Sequence, residues 1–371
     1  MPQQQHNGLQ EPQGIERSRL REAWLLLRKN RLALAGMVIF VIFFLVALTG
    51  LILTSGTNPI CDPSLIRLEE KLRPPLSRPN TEIIKPGALP ALGIYLFGTD
   101  ELGRDVFSRM LQGAWVSLTV GFVAVGIAVL IGIFMGGMAG YFGQNTLGLD
   151  LILVVVLLAA GGFLLATGAY LTGVIISGSG LILLIYGFFL RKRIATGVSV
   201  DTLIMRLVDI MLCFPSFFLI LTVVALLPAS IYNIMIVIGL TSWMGATRFV
   251  RAEFLALREQ DFVTAAKALG ISEWRIIFRH MIPNAIAPVL VSATIGIAGA
   301  ILTEAGLSFL GFGVPPPHAT WGNILSDGKN FIFDAPWLTF IPGIAILVVV
   351  LSFNLFGEGL RDIFNPKLRE R

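Results

Sequence analysis

Charge is what this sequence has least of. Asp, Glu, Lys and Arg make up 14% of its 371 residues, against about 25% in a soluble domain. So little charge cannot solvate an ordinary soluble surface. Cysteine is nearly absent: Cys61 lies in a polar loop and Cys213 in an apolar run, which frames no disulfide network. The three histidines, His6, His280 and His318, are scattered, so no metal site is expected, nor a membrane-embedded metalloenzyme. No GxxxxGK[ST] phosphate loop occurs; Asp327–Asn330 reads DGKN without the upstream glycine or the following Ser/Thr. The chain is therefore expected to be no ATPase and to hold no cofactor of its own. The net charge is +5. Its basic residues sit at the ends of apolar runs rather than on one face, which argues against a nucleic-acid partner.

Long apolar runs are abundant, and the mean hydropathy is +0.80. Leu32–Thr54 has no ionisable side chain and as a helix would cover roughly 34 Å, enough for a hydrocarbon core of about 30 Å. Ahead of it, residues 1–31 form a Gln- and Pro-rich tail, then an amphipathic stretch with Arg17, Arg19, Arg21, Arg28, Lys29 and Arg31 around Trp24–Leu27. The first span is residues 32–54. A net-neutral, proline-rich loop over 55–112 is expected outside the membrane, and a glycine-rich second span occupies 113–143. Residues 144–199 read as a transmembrane hairpin of two uncharged blocks, Leu151–Thr167 and Leu171–Leu190, turning near Gly168 and closed by Arg191, Lys192 and Arg193. Within 200–357 the spans are about 203–227, 231–246, 285–303 and 338–356, with a basic polar stretch over 247–284. Residues 358–371 form a tail. The lysines and arginines put both termini and the 247–284 stretch in the cytoplasm. The expectation is an all-α polytopic membrane protein of eight spans.

Residues 261–284, DFVTAAKALGISEWRIIFRHMIPN, read as helix, break, helix. Phe262, Ala265, Ala266 and Leu269 fall on one face. Gly270 suits a C-terminal cap and Ser272 an N-terminal one. Trp274, Ile277, Phe278 and Met281 form a second apolar face, and Pro283 marks the boundary of the next span. Such a cytoplasmic helix suits either a groove on a partner protein or the lipid headgroups.

This segment resembles the cytoplasmic Glu-Ala-Ala loop of ABC importer permeases. That pattern is Glu-Ala-Ala, three residues, Gly, nine residues, then Ile-x-Leu-Pro. Ala265, Ala266, Gly270 and Pro283 match in register; Thr264 replaces the Glu, His280 the Ile and Ile282 the Leu. FGTDELGRDVFSRMLQGAWVSL (97–118), DTLIMRLVDIMLCFPSFFLIL (201–221), EAGLSFLGFGVPPPHATWGNIL (304–325) and NPKLRER (365–371) resemble segments of the oligopeptide/dipeptide/nickel type. The resemblance covers about 20–143 and 200–371. It implies a six-span permease core, with 144–199 as an inserted hairpin, and a coupling loop carried by Asp261, Thr264, Ala265, Ala266, Gly270 and Pro283. It also implies partners: a second homologous permease, two cytoplasmic ATPase subunits that bind ATP-Mg, and an extracytoplasmic binding protein delivering peptides, nickel or related small solutes. The location it implies is the bacterial inner membrane.

Other polar residues offer candidate sites on the substrate path or against the binding protein. Asp100, Arg104 and Asp105 precede the second span, as binding-protein contacts or as a salt-bridged turn. Arg206 and Asp209, spaced i, i+3, are expected to pair with each other. Glu304 ends a span, facing either the path or backbone groups. The rival reading is an ion-gradient-driven secondary transporter, which should show several buried carboxylates or broken helices near mid-membrane. The chain has few ionisable groups at that depth.

Overall fold

In a computed structural model the chain is described over residues 27–28, 30–57, 59–84, 89–148, 157–158, 161–162, 172, 174–182 and 197–364. The basic N-terminal stretch, most of the inserted hairpin and the tail from residue 365 lie outside the described residues.

Helix α1 is Arg31–Thr54, started by Asn30, whose side chain accepts the Ala33 N–H. Helix α2, Val106–Tyr141, begins earlier than its apolar run, because Asp105 caps it through the N–H groups of Phe107 and Ser108. A short antiparallel ribbon, β1 Thr146–Gly148 and β2 Gly197–Ser199, brings residues 145 and 200 to one point. Helices α3 (Val200–Leu212) and α4 (Ser216–Leu226) meet at a 79° bend. The sequence reads there as one straight span, but Pro215 has no N–H to continue the ladder. Helix α5 is Ile231–Arg258, so the polar stretch from 247 starts as a continuation of a span. Short helices α6 (Asp261–Ala268) and α7 (Glu273–Ile276) follow. A π-type turn, Ile277–Met281, joins α7 to α8, Ile282–Phe309. Pro283 therefore does not interrupt the chain: helix runs from Glu273 to Phe309. Helix α9 is Trp321–Gly328 and α10 is Trp337–Phe364.

Five of the described helices are long and apolar enough to cross a membrane, and six spans result if the bent pair α3–α4 counts as one. The two further spans expected in the insert fall largely outside the described residues. The Asn30 side-chain amide donates to Asp362 at 3.4 Å, so the start of α1 and the end of α10 share one end of the bundle. The described residues between 55 and 105 form an irregular lobe at the other end.

The most extensive packing is α2 against α5. Gly136 makes it possible: a Cβ there would lie 2.5 Å from the Thr247 carbonyl oxygen and 2.8 Å from Val250 Cβ. Without a hydrophobic force between helices in lipid, such backbone proximity supplies the attraction. Gly136→Val is expected to destabilise the protein by about 1–3 kcal/mol through overpacking, read as a lowered thermal midpoint in detergent. An unchanged midpoint would show that the two helices can part freely.

Candidate functional site

At the end of the bundle away from the lobe, α6 and α7 form a two-faced element. Val263, Ala266, Ile276, Ile277 and Met281 are buried with Tyr141 of α2, Val250 and Phe254 of α5, and Ala285 and Val289 of α8. Phe262, Ala265, Leu269, Trp274 and Phe278 stay exposed. The sequence pattern places Phe262, Ala265, Ala266 and Leu269 on one apolar face; the structure divides them. Val263 and Ala266, spaced i, i+3, fill the core, which turns Phe262, Ala265 and Leu269 outward. Leu269 is 80% exposed. Trp274 and Phe278 stack with ring centres 6.0 Å apart, and Trp274 reaches Phe142 at the end of α2, also at 6.0 Å. Gly270 turns the chain between the helices at φ +70°. Ser272 takes the N-cap position of α7 but makes no side-chain cap bond. The Thr264 hydroxyl donates to the Gln260 carbonyl at 3.3 Å. Asp261 opens α6, and Pro283 is exposed on the first turn of α8.

At the lobe end the charges converge. Asp100 is fully buried. It accepts from the Leu102 and Arg104 N–H groups at 2.9 Å, from Arg104 Nε at 2.6 Å and from Arg109 Nη1 at 2.5 Å. Both arginines also reach Asp327 Oδ2 on α9, Arg104 at 3.2 Å and Arg109 at 2.9 Å. Lobe, α2 and α9 are thus tied by two shared carboxylates. Beside them lies a cavity of about 450 Å³ whose lining includes Glu101, Arg104, Arg109, His318, Asn323 and Asp327. Asp105, grouped with Asp100 and Arg104 in the sequence, is not part of this network. It serves as the α2 cap and accepts the Ser108 hydroxyl at 2.5 Å. Burial pushes its carboxyl above the ordinary value, opposed by the hydrogen bonds from Ser108 and Phe107.

Two further expectations change. Arg206 and Asp209 do not pair. Asp209 accepts from Arg248 of α5 at 2.8 Å, and among the described residues Arg206 forms no ion pair. Helices α3 and α5 also join through a bidentate Arg251–Asp201 pair, so helix-to-helix proximity overrides i, i+3 spacing. Glu304 is fully buried and accepts from the Ser308 hydroxyl at 2.7 Å and the Ser117 hydroxyl at 3.5 Å. It belongs to the seam of α2, α8 and α9 rather than to an open path.

The residues the sequence missed are Arg109, Asp327, Asp201, Arg248 and Arg251. Their partners lie 9 to 223 positions away, and only an Arg within a few residues of an Asp could have been flagged.

A bundle with a lobe at one end and a small two-faced helical element at the other can be set beside known proteins. Residues 183–370 match the family model described as binding-protein-dependent transport system inner membrane component. The chain belongs to that family. Residues 18–66 also match the N-terminal TM domain of oligopeptide transport permease C. The dipeptide transport system permease protein of Alkalihalophilus pseudofirmus is 36% identical over 94% of this chain and 90% of its own. The one from Haemophilus influenzae is 33% identical over 95% of this chain and 96% of its own. The oligopeptide transport system permease protein of Bacillus subtilis is 30% identical over 94% and 90%. The chain is an ABC importer permease of the peptide type and a polytopic protein of the bacterial inner membrane; its relatives are permease subunits of transporters. Importers of this family work with ATPase and binding-protein partners.

Proposed function

We propose that this permease passes short peptides across the membrane in an ATP-driven cycle, after an extracytoplasmic binding protein delivers them to the lobe end. A second homologous permease, another chain or a copy of this one, completes the path. Two ATPase subunits bind ATP-Mg and dock on α6 and α7, through the segment that holds Asp261, Thr264, Ala265, Ala266, Gly270 and Pro283. This permease supplies no cofactor. Relatives named for dipeptide and oligopeptide transport support the cargo class; nickel or a related small solute is the other cargo of this importer type. The basic excess over 247–284 supports a cytoplasmic α6–α7 and cytoplasmic termini.

One observation carries the reading. The α6–α7 element presents Phe262, Leu269, Trp274 and Phe278 outward while its other face is locked to α2, α5 and α8. A push on the exposed face is thereby delivered to three spans at once. Packed interfaces respond by switching between arrangements rather than by deforming smoothly, so nucleotide state biases the direction in which the bundle opens.

Leu269→Asp tests this at little cost to folding, since that side chain is 80% exposed. The variant is expected to insert normally yet retain less than about a tenth of the co-purified ATPase, equivalent to about 1.4 kcal/mol of lost docking energy. ATP-driven uptake in proteoliposomes should fall with it. Unchanged ATPase recovery would remove α6 as the docking element. Uptake that ignored ATP and collapsed with an ionophore would favour the ion-driven reading. The bend between α3 and α4 is one feature of that class, but its breakpoint residues Cys213, Phe214 and Pro215 carry no carboxylate.

A further inference from the structure

We propose that the apolar cavity between α1, α2, α9 and α10 is a binding site for one acyl chain of a membrane phospholipid. The cavity measures about 510 Å³, more than three times the roughly 150 Å³ that admits a benzene in a protein core. Phe43 of α1, Met110 and Ala114 of α2, Trp321 of α9 and Ala345 of α10 wall it. Phe97 closes the lobe end, held edge-on to Phe107 at 5.6 Å.

Water is a poor occupant. Every lining side chain is apolar except for the indole N–H of Trp321, and that group already donates to the Met110 carbonyl at 3.1 Å. A trapped water needs two to four polar partners and would find none among these side chains. An empty cavity would forfeit dispersion contacts over its whole lining.

The occupant follows from where the cavity opens. Ile344 lines it and is at the same time 56% exposed. Phe340, Leu347 and Leu351, at i−4, i+3 and i+7 on the same helix, are also exposed. That row is the face a spanning helix turns to hydrocarbon, so the cavity is continuous with the lipid surface. Its depth agrees. Trp337, which donates to the Thr99 carbonyl at 3.2 Å, suits a headgroup-level anchor. Ala345 lies eight residues farther along α10, about 12 Å into the bundle, at acyl depth in the lobe-side leaflet. A chain entering past Ile344 would fill space between α1 and α10, below the ion-pair tie at the lobe.

The complete transporter, reconstituted in nanodiscs, is photolysed with a phospholipid bearing a diazirine on its acyl chain, and adducts are mapped by mass spectrometry. Adducts are expected on Met110, Leu111 and Trp321, which are at most 8% exposed, as well as on surface residues Leu347 and Leu351. Ala345→Phe, and the milder Ala345→Leu, fill the cavity. They should reduce the buried adducts at least about tenfold while leaving those on Leu347 in place. Gel filtration of each variant complex establishes that it is folded. Wild-type adducts confined to Leu347 and Leu351 would overturn the proposal and leave a side chain of the second permease as the occupant. Buried adducts that persisted in both filled variants would overturn it equally, because the label would then be arriving by another route.

Discussion

Replacing Arg109 with methionine is expected to lower the stability of the protein by about 3 kcal/mol, the lower end of what breaking a buried ion pair costs. Asp100 is fully buried and the Arg109 side chain is 4% exposed, so solvent cannot take over the lost contact. Three donors remain on Asp100: the Leu102 and Arg104 N–H groups and Arg104 Nε. They are why the upper end of the range is not expected. The damage extends beyond one pair, since Arg109 also holds Asp327 at 2.9 Å. The lobe should therefore loosen from α9 as well as from α2, and become open to protease before the bundle melts. The double variant Asp100→Asn with Arg109→Met removes the stranded charge along with its partner. It is expected to recover at least about 1 kcal/mol, the usual size of coupling between contacting residues. Thermal midpoints of the four proteins of this cycle decide the matter. If Arg109→Met melted within about 0.5 kcal/mol of the parent, as a neutral surface change does, the lobe would be held by something else.

The second large effect is on transport. Gly270 sits at φ +70° with nothing within 4 Å of where a Cβ would stand. A substitution there meets no neighbour and acts only through the backbone. Left-handed geometry costs an ordinary L-residue roughly 1–2 kcal/mol, and a β-branched residue more. Asparagine tolerates it. Gly270→Val should thus re-aim α6 against α7 and divide Phe262 and Leu269 from the Trp274–Phe278 stack. ATP-driven uptake is expected to fall at least about tenfold. Gly270→Asn should keep most of it. Uptake at the parent level by both variants would mean that the turn does not set the angle of the proposed docking face. Equal loss would mean that the surface around Gly270, rather than its backbone, touches the ATPase.

Much of the fold was legible in one dimension. The uncharged run Leu32–Thr54 and helix α1, Arg31–Thr54, nearly coincide, because such a run ending at a polar loop leaves little choice. The last spans are longer than their apolar runs: α8 and α10 extend beyond them to Phe309 and Phe364. Hydropathy marks where lipid is, whereas helical hydrogen bonds continue as far as caps and packing allow. The bend at Pro215 was written in the sequence as a proline, yet its size depends on how α3 packs on α2 and α4 on α5.

The candidate site divides in the same way. The small residues, glycine and proline of 264–283 can be read directly, and Gly270 takes the left-handed conformation expected of it. Which apolar residues face in and which face out cannot be read from an eight-residue helix. Nearly every rotation of α6 buries something apolar, and the choice of Val263 and Ala266 is made by Phe254 and Met281, which lie elsewhere in the chain.

By itself, then, the sequence determined that this protein lives in a bilayer, roughly where it crosses, and which short polar stretch between spans carries the family pattern. Composition and local pattern suffice for those because lipid exclusion of charge and left-handed backbone geometry act residue by residue. Only the tertiary structure decided that Arg109 and Arg104 share Asp100 with Asp327, that Asp209 answers to Arg248 rather than Arg206, and that Glu304 is closed into a helix seam. Ion pairs and buried hydroxyl contacts are set by which helices lie side by side, and that adjacency comes from small-residue packing across the whole bundle.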